Sequence, residues 1–575
     1  MRKLFIIFSL AILATACEQV VDKEPLDMIS DAQVWSDPAL IDANLTNLYN
    51  ATNVFVPWSY QVHAPVVTLT DEARTCIGWS DALVTFPLGI LNPSNCDDDN
   101  YVSNWSYNNI RNYNEFLQKI QDGNVSDEYK IEKSAEVRYL RAWTYFNMAI
   151  RYGGVPLITE PQSLEDDLFV YRNTEDEIYD FVRTELDDII NILPESNTGA
   201  DQWRVNKYVA LALKSRAMLH AASIAKYGEI KLEGLVGVPA EKADFYFQES
   251  YNASKEILEQ GNYELFRKYS DKAKNYQHIF LDEDNSEIIF CKKFVEYDKG
   301  HSLDRDWQPI LYKSTIASII NPTLEMVDEY EFADGRPGTA IDYNQEIDTR
   351  KLYQDKEPRF HASILYNKAF WIDDTIQTYY FTVQNSLADP HKTGTAFRGK
   401  HVNDREAGAT QTGFYIKKFL NEKSGMAVDE SGQDYIIFRL AEIYLNFAEA
   451  ACQIGGADKE TEALNALNEI RNRAGVPPRT EINMEYIKHE RKIELAFEGF
   501  RMWDARRWRD AVNDFSGVFH KMTAYRISSR ATFGYLIENC QGSAVRVFLE
   551  PHYYNPIAQE RIFENPNLVQ NPGYN

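Results

Sequence analysis

Apolar positions repeat at helical spacing in seven stretches of this chain. Ile110, Tyr113, Leu117 and Ile120 share one face, and Ala135, Tyr139, Ala142, Phe146 and Ala149 form a second stripe. Ile178, Val182, Leu186, Ile189 and Leu193 form a third, closed by Pro194. Ala210, Leu213, Ala217 and Ala221 form the fourth, and Phe247, Tyr251, Ser254 and Leu258 the fifth. Leu440, Ile443, Phe447 and Ala448 follow, broken by Gly455-Gly456; Ala463, Ala466, Leu467, Ile470 and Ala474 end at Gly475 and Pro477. Apolar residues three and four apart give a helix one side to bury. Ala recurs where two helices would touch. The stripes therefore predict antiparallel pairs packed like tetratricopeptide repeats, each burying a face that no single pair buries alone. An irregular helical domain is the alternative by pattern.

Between about 261 and 432 the periodicity fades, and Gly, Asn, Asp and Thr become frequent. Short β-like runs stand there, Ile288-Ile289-Phe290 and Tyr379-Tyr380-Phe381-Thr382-Val383. The stretch 52–103 has the same character. The expected fold is mainly α: helical repeats over 104–260 and 433–510 carry loop-rich inserts over 52–103 and 261–432, with a few short strands, as one domain from 32 to 575. Loops on a rigid scaffold are where binding residues concentrate.

The N-terminus reads separately. Met1-Arg2-Lys3 is basic, Leu4 to Leu13 is almost wholly apolar, and Ala14-Thr15-Ala16 leads to Cys17. This order is that of a secretory signal over 1–16, too short to span a membrane. A Cys directly after small residues is where bacterial lipoproteins are cut and acylated, so Cys17 is the expected lipid anchor, although Ala14 stands where such sites usually carry Leu. Residues 17–31 read as a flexible tether, and the later sequence holds no run long enough to span.

Charge and composition narrow the classes. The 575 residues carry a net charge of −26, which argues against nucleic acid, a ligand that needs clustered Lys and Arg. Aromatic residues make up 13% of the chain, with 35 Tyr and 10 Trp, a load that exceeds what most cores need. Flat rings match the C–H faces of sugars at little entropic cost. Of the six Cys, Cys291, Cys452 and Cys540 sit in apolar or helical settings; Cys76 and Cys96 bracket a loop and are compatible either with a disulfide or with two thiols.

Ordered blocks along nearly the whole chain resemble the SusD/RagB family of outer-membrane nutrient-binding lipoproteins. They are Asp22-Lys-Glu-Pro-Leu-Asp27, Trp105-Ser-Tyr-Asn-Asn-Ile110, Glu136-Val-Arg-Tyr-Leu-Arg-Ala142, Tyr152-Gly-Gly-Val-Pro-Leu157, Asn321-Pro-Thr-Leu324 and Arg439-Leu-Ala-Glu-Ile-Tyr444. Asn468 to Gly475, Glu490 to Gly499 with Arg501, Asp504 and Arg506-Arg507-Trp508, and Asn571-Pro-Gly-Tyr574 complete the series. The resemblance implies a non-enzymatic, cell-surface protein that captures oligo- or polysaccharide and acts as the lid of a SusC-like TonB-dependent β-barrel transporter in the outer membrane. A peptide-binding lid of the same architecture and a surface glycoside hydrolase are the competing readings.

The resemblance also implies a glycan site built from the two loop-rich regions. Trp58, Trp79, Trp307 and Trp371 lie there and are the expected stacking faces, with Asp71, Glu72, Asp81, Asn95 and Arg398 as hydrogen-bonding candidates. Trp35, Trp105, Trp143, Trp503 and Trp508 lie in helical segments and are expected in the core. Glu490, Glu494 and Glu498 would line one helix face, but interleaved Arg residues make them an internal ion-pair network rather than the acid pair of a glycosidase. No cofactor is expected. Asp97-Asp98-Asp99 and Asp282-Glu283-Asp284-Asn285 carry oxygen ligands that could hold calcium, but a solvated acidic turn is the commoner explanation of both, so no metal is expected.

Overall fold

The computed structural model describes residues 31–52, 66–75, 86–96, 103–309, 318–382, 396–398, 410–527 and 530–574. All seven stripes lie on helices. Among the described residues, six helices of six or more residues precede the large insert: α1 Pro38–Ala51, α2 Tyr107–Lys119, α3 Asp127–Tyr152, α4 Glu175–Ile190, α5 Lys207–Tyr227 and α6 Ala243–Gln260. Five of that length follow it: α7 Leu440–Ile454, α8 Ala457–Ala474, α9 Met484–Glu494, α10 Arg501–Arg507 and α11 Gln559–Glu564. Their ends obey local chemistry. The Thr174 hydroxyl accepts the Glu177 N–H while the Glu177 carboxylate accepts the Thr174 N–H, a reciprocal cap on α4. Asn206 caps α5 by accepting the Val209 N–H. Gly475 closes α8 at φ 79°, a left-handed conformation that side chains resist.

Helix α3 packs between α2 and α4, α4 on α5, and α5 on α6; α6 then packs directly on α7, and α7 on α8 and α9. The stack is therefore continuous across the insert. Small residues allow the closest approach. The Ser215 and Ser254 hydroxyls stand 2.8 Å apart, Ser250 donates to the Ser215 carbonyl at 2.8 Å, and Asn446 donates to Ser215 Oγ at 3.0 Å. Hydroxyls paired inside the interface let backbones approach without an orphaned polar group.

Among the described residues, eight strands of three or more residues position the insert: β1 Ala73–Thr75, β2 Ile288–Lys292, β3 Ile320–Pro322, β4 Tyr379–Thr382, β5 Ala396–Arg398, β6 Tyr435–Arg439, β7 His520–Ile527 and β8 Gly534–Asn539. β1 pairs antiparallel with β3, and β2 with β6. A four-stranded sheet runs β8-β7-β4-β5, with β7 and β4 parallel and the outer pairs antiparallel. Its side chains join a second core around Trp307, Trp371, Phe280, Phe360 and Phe419, distinct from that of the helical stack.

Buried charge ties these parts together. Arg439 donates to Glu287 at 2.9 Å, Glu494 at 2.7 Å and Glu498 at 2.8 Å. Arg473 pairs with Glu287 and Glu494; Arg359 with Glu357, Glu490 and Glu494; Arg471 with Glu331 and Glu490. Charges removed from water are tolerable only with several partners each, as here. One expectation is corrected: α9 ends at Glu494, so Glu498 is not the third acid of one helix face. Phe497 at φ 64° and Gly499 at φ 84° turn the chain into α10. Glu498 nonetheless joins the same network through Arg439 and Lys418. No helix among the described residues is long and apolar enough to cross a membrane.

Candidate functional site

Segments remote in sequence meet at one edge of the insert. Thr75 pairs with Ile320, so the last residue of β1 stands beside the first of β3. The Gln411 N–H donates to Asn321 Oδ1 at 2.9 Å, bringing the stretch that resumes at Thr410 to β3. The Met522 N–H donates to the Thr412 carbonyl at 2.9 Å, tying that stretch to β7, the neighbour of β4.

The entry to β1 is clamped from below. Asp71 receives two hydrogen bonds from Arg501, at 2.9 and 3.0 Å, and an ion pair from Lys492 at 2.9 Å. Burial pushes the Asp71 carboxyl up, but Arg501 and Lys492 overcome it and hold it well below the usual carboxylate range. Glu72 accepts the Phe497 N–H at 2.8 Å; its burial lifts the carboxyl to about 7 despite that bond. Thr323 donates to the Asp71 carbonyl at 2.5 Å, and Arg546 to the Ala73 carbonyl at 2.8 Å. Asp71 and Glu72 were expected at the ligand. They point inward instead, 5% and 1% exposed, with their oxygens already engaged by the signature segment.

Trp307 and Trp371 are corrected likewise: each is 1% exposed and offers no face to a ligand. Trp371 Nε1 donates to Gln308 Oε1 at 2.8 Å, and Gln308 Nε2 donates to the Asn421 and Lys423 carbonyls, each at 3.0 Å. The polar neighbours that made Trp307 resemble a loop residue are themselves buried. Asp304 accepts from the Asn421 N–H at 2.8 Å and from Gln433 at 2.8 Å. The two rings form the floor of the insert. Asn95 is half-buried and turns its amide on its own loop, accepting from the Asn92 N–H and donating to the Ile90 carbonyl. Trp58, Trp79, Asp81, Cys76, Asp97, Asp98, Asp99 and Cys17 lie outside the described residues. Cys96 is buried in the insert core.

The second acidic turn is occupied by protein cations. Asp282 accepts from Lys268 at 2.7 Å, and Lys293 stands 3.3 Å from both Glu283 and Asp284. Among the described residues no group of three or more His, Cys, Asp or Glu is arranged for a metal.

The sheet supplies an aromatic row that sequence reasoning missed. Register places Gly534, Tyr525, Tyr380 and Arg398 side by side across its four strands. Alternation sends Tyr379 inward, onto Phe533, and Tyr380 to the opposite face. Tyr380 and Tyr525 are both half-buried. The Tyr525 ring lies over Gly534, where an added Cβ would come within 2.9 Å of the ring. The glycine thus gives Tyr525 its place. Arg398 stands in register with Tyr380 on β5. The only hint in the sequence was the β-like run at Tyr379; the pairing with residues some 145 positions later is tertiary.

The signature acids face inward. Burial alone would raise Glu494, but Arg473, Arg439 and Arg359 bring it down to about 2. Glu490 and Glu498 are lowered in the same way, by Arg359 with Arg471 and by Arg439 with Lys418, each against burial.

Fold and sequence agree on the class. Residues 286–574 match the family described as "SusD family", and residues 24–219 match "Starch-binding associating with outer membrane". This chain belongs to the SusD family. It is similar to a SusD-like protein of Bacteroides ovatus, 23% identical over 88% of this chain and 82% of the relative. It is 25% identical to the starch-binding protein SusD of Bacteroides thetaiotaomicron, over 81% of this chain and 76% of that one. The crystal structure of a SusD-like protein from Bacteroides fragilis superposes with a TM-score of 0.78 at 26% identity, covering 96% of this chain and all of that one.

Proposed function

We propose that this chain is a non-catalytic, lipid-anchored carbohydrate-binding protein of the outer membrane. It captures oligo- or polysaccharide at the cell surface and passes it to a SusC-like TonB-dependent transporter, over which it sits as a lid. The observation that carries the carbohydrate reading is the pair Tyr525 and Tyr380, side by side in register on the neighbouring strands β7 and β4. Two neighbouring phenol rings offer flat apolar faces with hydroxyl edges, a combination that suits a pyranose chain. Family membership and the starch-binding relative support the same ligand class. The non-catalytic reading is supported by the signature acids, which are ion-paired and, at Glu494, held near 2, whereas a general acid needs a raised pKa.

The test is a glycan array on the purified chain starting after Cys17, followed by calorimetry on the hits. Binding to one or more polysaccharides without release of reducing ends is expected. Binding to oligopeptides alone would replace the ligand class, and cleavage of a bound glycan would overturn the non-catalytic reading.

A further inference from the structure

A cavity of about 390 Å³ opens where four parts of the chain meet. Tyr227 ends α5, Lys231 and Val236 come from the loop that follows it, Arg509 stands just after α10, and Tyr553 and Tyr554 come from the C-terminal segment. The volume lies in the range of small-molecule sites, about 300–1,000 Å³. The cavity shares no residue with the Tyr380–Tyr525 pair.

Arg509 is fixed in its wall. The guanidinium lies over the Tyr553 ring at 4.5 Å and the Tyr554 ring at 5.2 Å. Its Nη2 donates to the Tyr554 hydroxyl at 3.0 Å, and that hydroxyl donates in turn to Glu175 at 2.7 Å. The Tyr553 hydroxyl donates to the Arg509 carbonyl at 2.7 Å. Glu175 also accepts the Gly237 N–H at 2.6 Å, so one buried carboxylate anchors both Tyr554 and the loop that carries Lys231. Backbone strain gathers here. Arg509 stands at φ 63°, and Leu232 and Glu233 of the loop at 52° and 56°. Left-handed conformations are costly for residues with side chains and cluster at ligand clamps.

Charge chooses the occupant. Arg491, Arg501 and Arg507 each pair with a carboxylate. Arg509 is half-buried and pairs with none among the described residues. A guanidinium drawn partly out of water is matched best by an anion that arrives with a ligand. Lys231, at the exposed mouth, adds a second cation 3.4 Å from Glu229. Glu229 and Glu550 border the same mouth, and both are exposed. Carboxylates there accept from hydroxyls and repel a ligand that is anionic along its length. Tyr227 is half-buried, its hydroxyl held by Gln453 at 2.6 Å, and gives a ring a flat surface to lie on. The matching ligand has one carboxylate, a compact ring and several hydroxyls. We infer that this cavity is a second ligand site and that it takes a uronate, with the sugar carboxylate on Arg509 and the hydroxyls toward Glu229 and Glu550.

Calorimetry on the purified chain starting after Cys17 tests this. The probes are D-galacturonate and D-glucuronate, the methyl ester of each, D-galactose, D-glucose and benzoate. At least one uronate should bind about tenfold or more tightly than its ester and neutral sugar, which lack the charge, and than benzoate, which lacks the hydroxyls. Arg509→Gln should lower that affinity about tenfold or more. If this variant melts below wild type, the comparison of acid with ester, made on wild type, still decides. Lys231→Gln, at an exposed position, should lower the affinity about threefold. Tyr380→Ala should bind the uronate as wild type does. The inference is overturned if neither uronate binds, if acid and ester bind equally, if benzoate binds as tightly, if Arg509→Gln keeps full affinity, or if Tyr380→Ala loses it. Polysaccharide binding without uronate binding removes this site alone. Uronate binding that needs Arg509, in a chain that binds no polysaccharide, removes the reading above and leaves this one.

Discussion

Arg501 grips Asp71 through two parallel hydrogen bonds, joining α10 to the entry of β1 across 430 residues of sequence. The pair is buried, so breaking it strands a charge. Arg501→Met should destabilise the protein by about 3–5 kcal/mol in urea unfolding, and Asp71→Asn in the same chain should recover part of that loss. A loss within about 0.5 kcal/mol, the scatter of ordinary surface changes, would show that the clamp is not rigid.

Trp371 belongs to the floor rather than the ligand face. Trp371→Ala should cost about 3–5 kcal/mol from the cavity alone. Trp371→Phe, which keeps most of the volume, should cost less and leave Gln308 Oε1 without its donor. Thermal unfolding reads both. A Trp371→Ala protein that melts like wild type yet no longer binds glycan would return the ring to the ligand.

Tyr380 and Tyr525 should share the binding load. Tyr380→Ala should weaken glycan affinity by calorimetry about tenfold, near 1.4 kcal/mol, without shifting the melting temperature. Tyr525→Ala should do the same and also uncover Gly534, lowering stability slightly. Full affinity in both variants would remove the row from the site.

Glu72 predicts a pH dependence of stability. Its folded pKa, about 7, is raised above the ordinary 4.5 mainly by burial. Between those values the folded state binds more protons at Glu72 than the unfolded one, so the contribution of Glu72 is full below about 4.5 and is lost as pH rises to about 7. Glu72→Gln keeps an acceptor for the Phe497 N–H and stays neutral. It should flatten this slope by roughly 2–3 kcal/mol across the interval, since each pKa unit is worth about 1.4 kcal/mol. Asp306, also raised to about 7 by burial despite Arg305, would leave a residual slope. An identical slope in the variant would contradict the assignment.

The helical stack was readable residue by residue, because helical periodicity is local: Ala210 and Ala217 are buried on α5, as their spacing predicted. The Arg-rich signature was readable as an ion-pair network for a related reason, since so many interleaved charges need partners. The candidate site was less so. Trp307 and Trp371 resembled loop residues because their neighbours in sequence are polar, but burial depends on what packs from elsewhere. Asp71 and Glu72 were read as facing a ligand, and the structure turns both inward.

The sequence by itself determined the class of fold, the extent of the helices and the family, since these follow from spacing and ordered motifs that need no knowledge of distant partners. Tertiary structure alone decided which side chains face a ligand. β4 and β7 meet in parallel across some 145 residues, setting Tyr380 beside Tyr525. Arg501 meets Asp71 across 430 residues and turns that carboxylate inward. A strand's two faces read alike until its neighbour fixes the register, and a polar residue reads as exposed until its partner arrives.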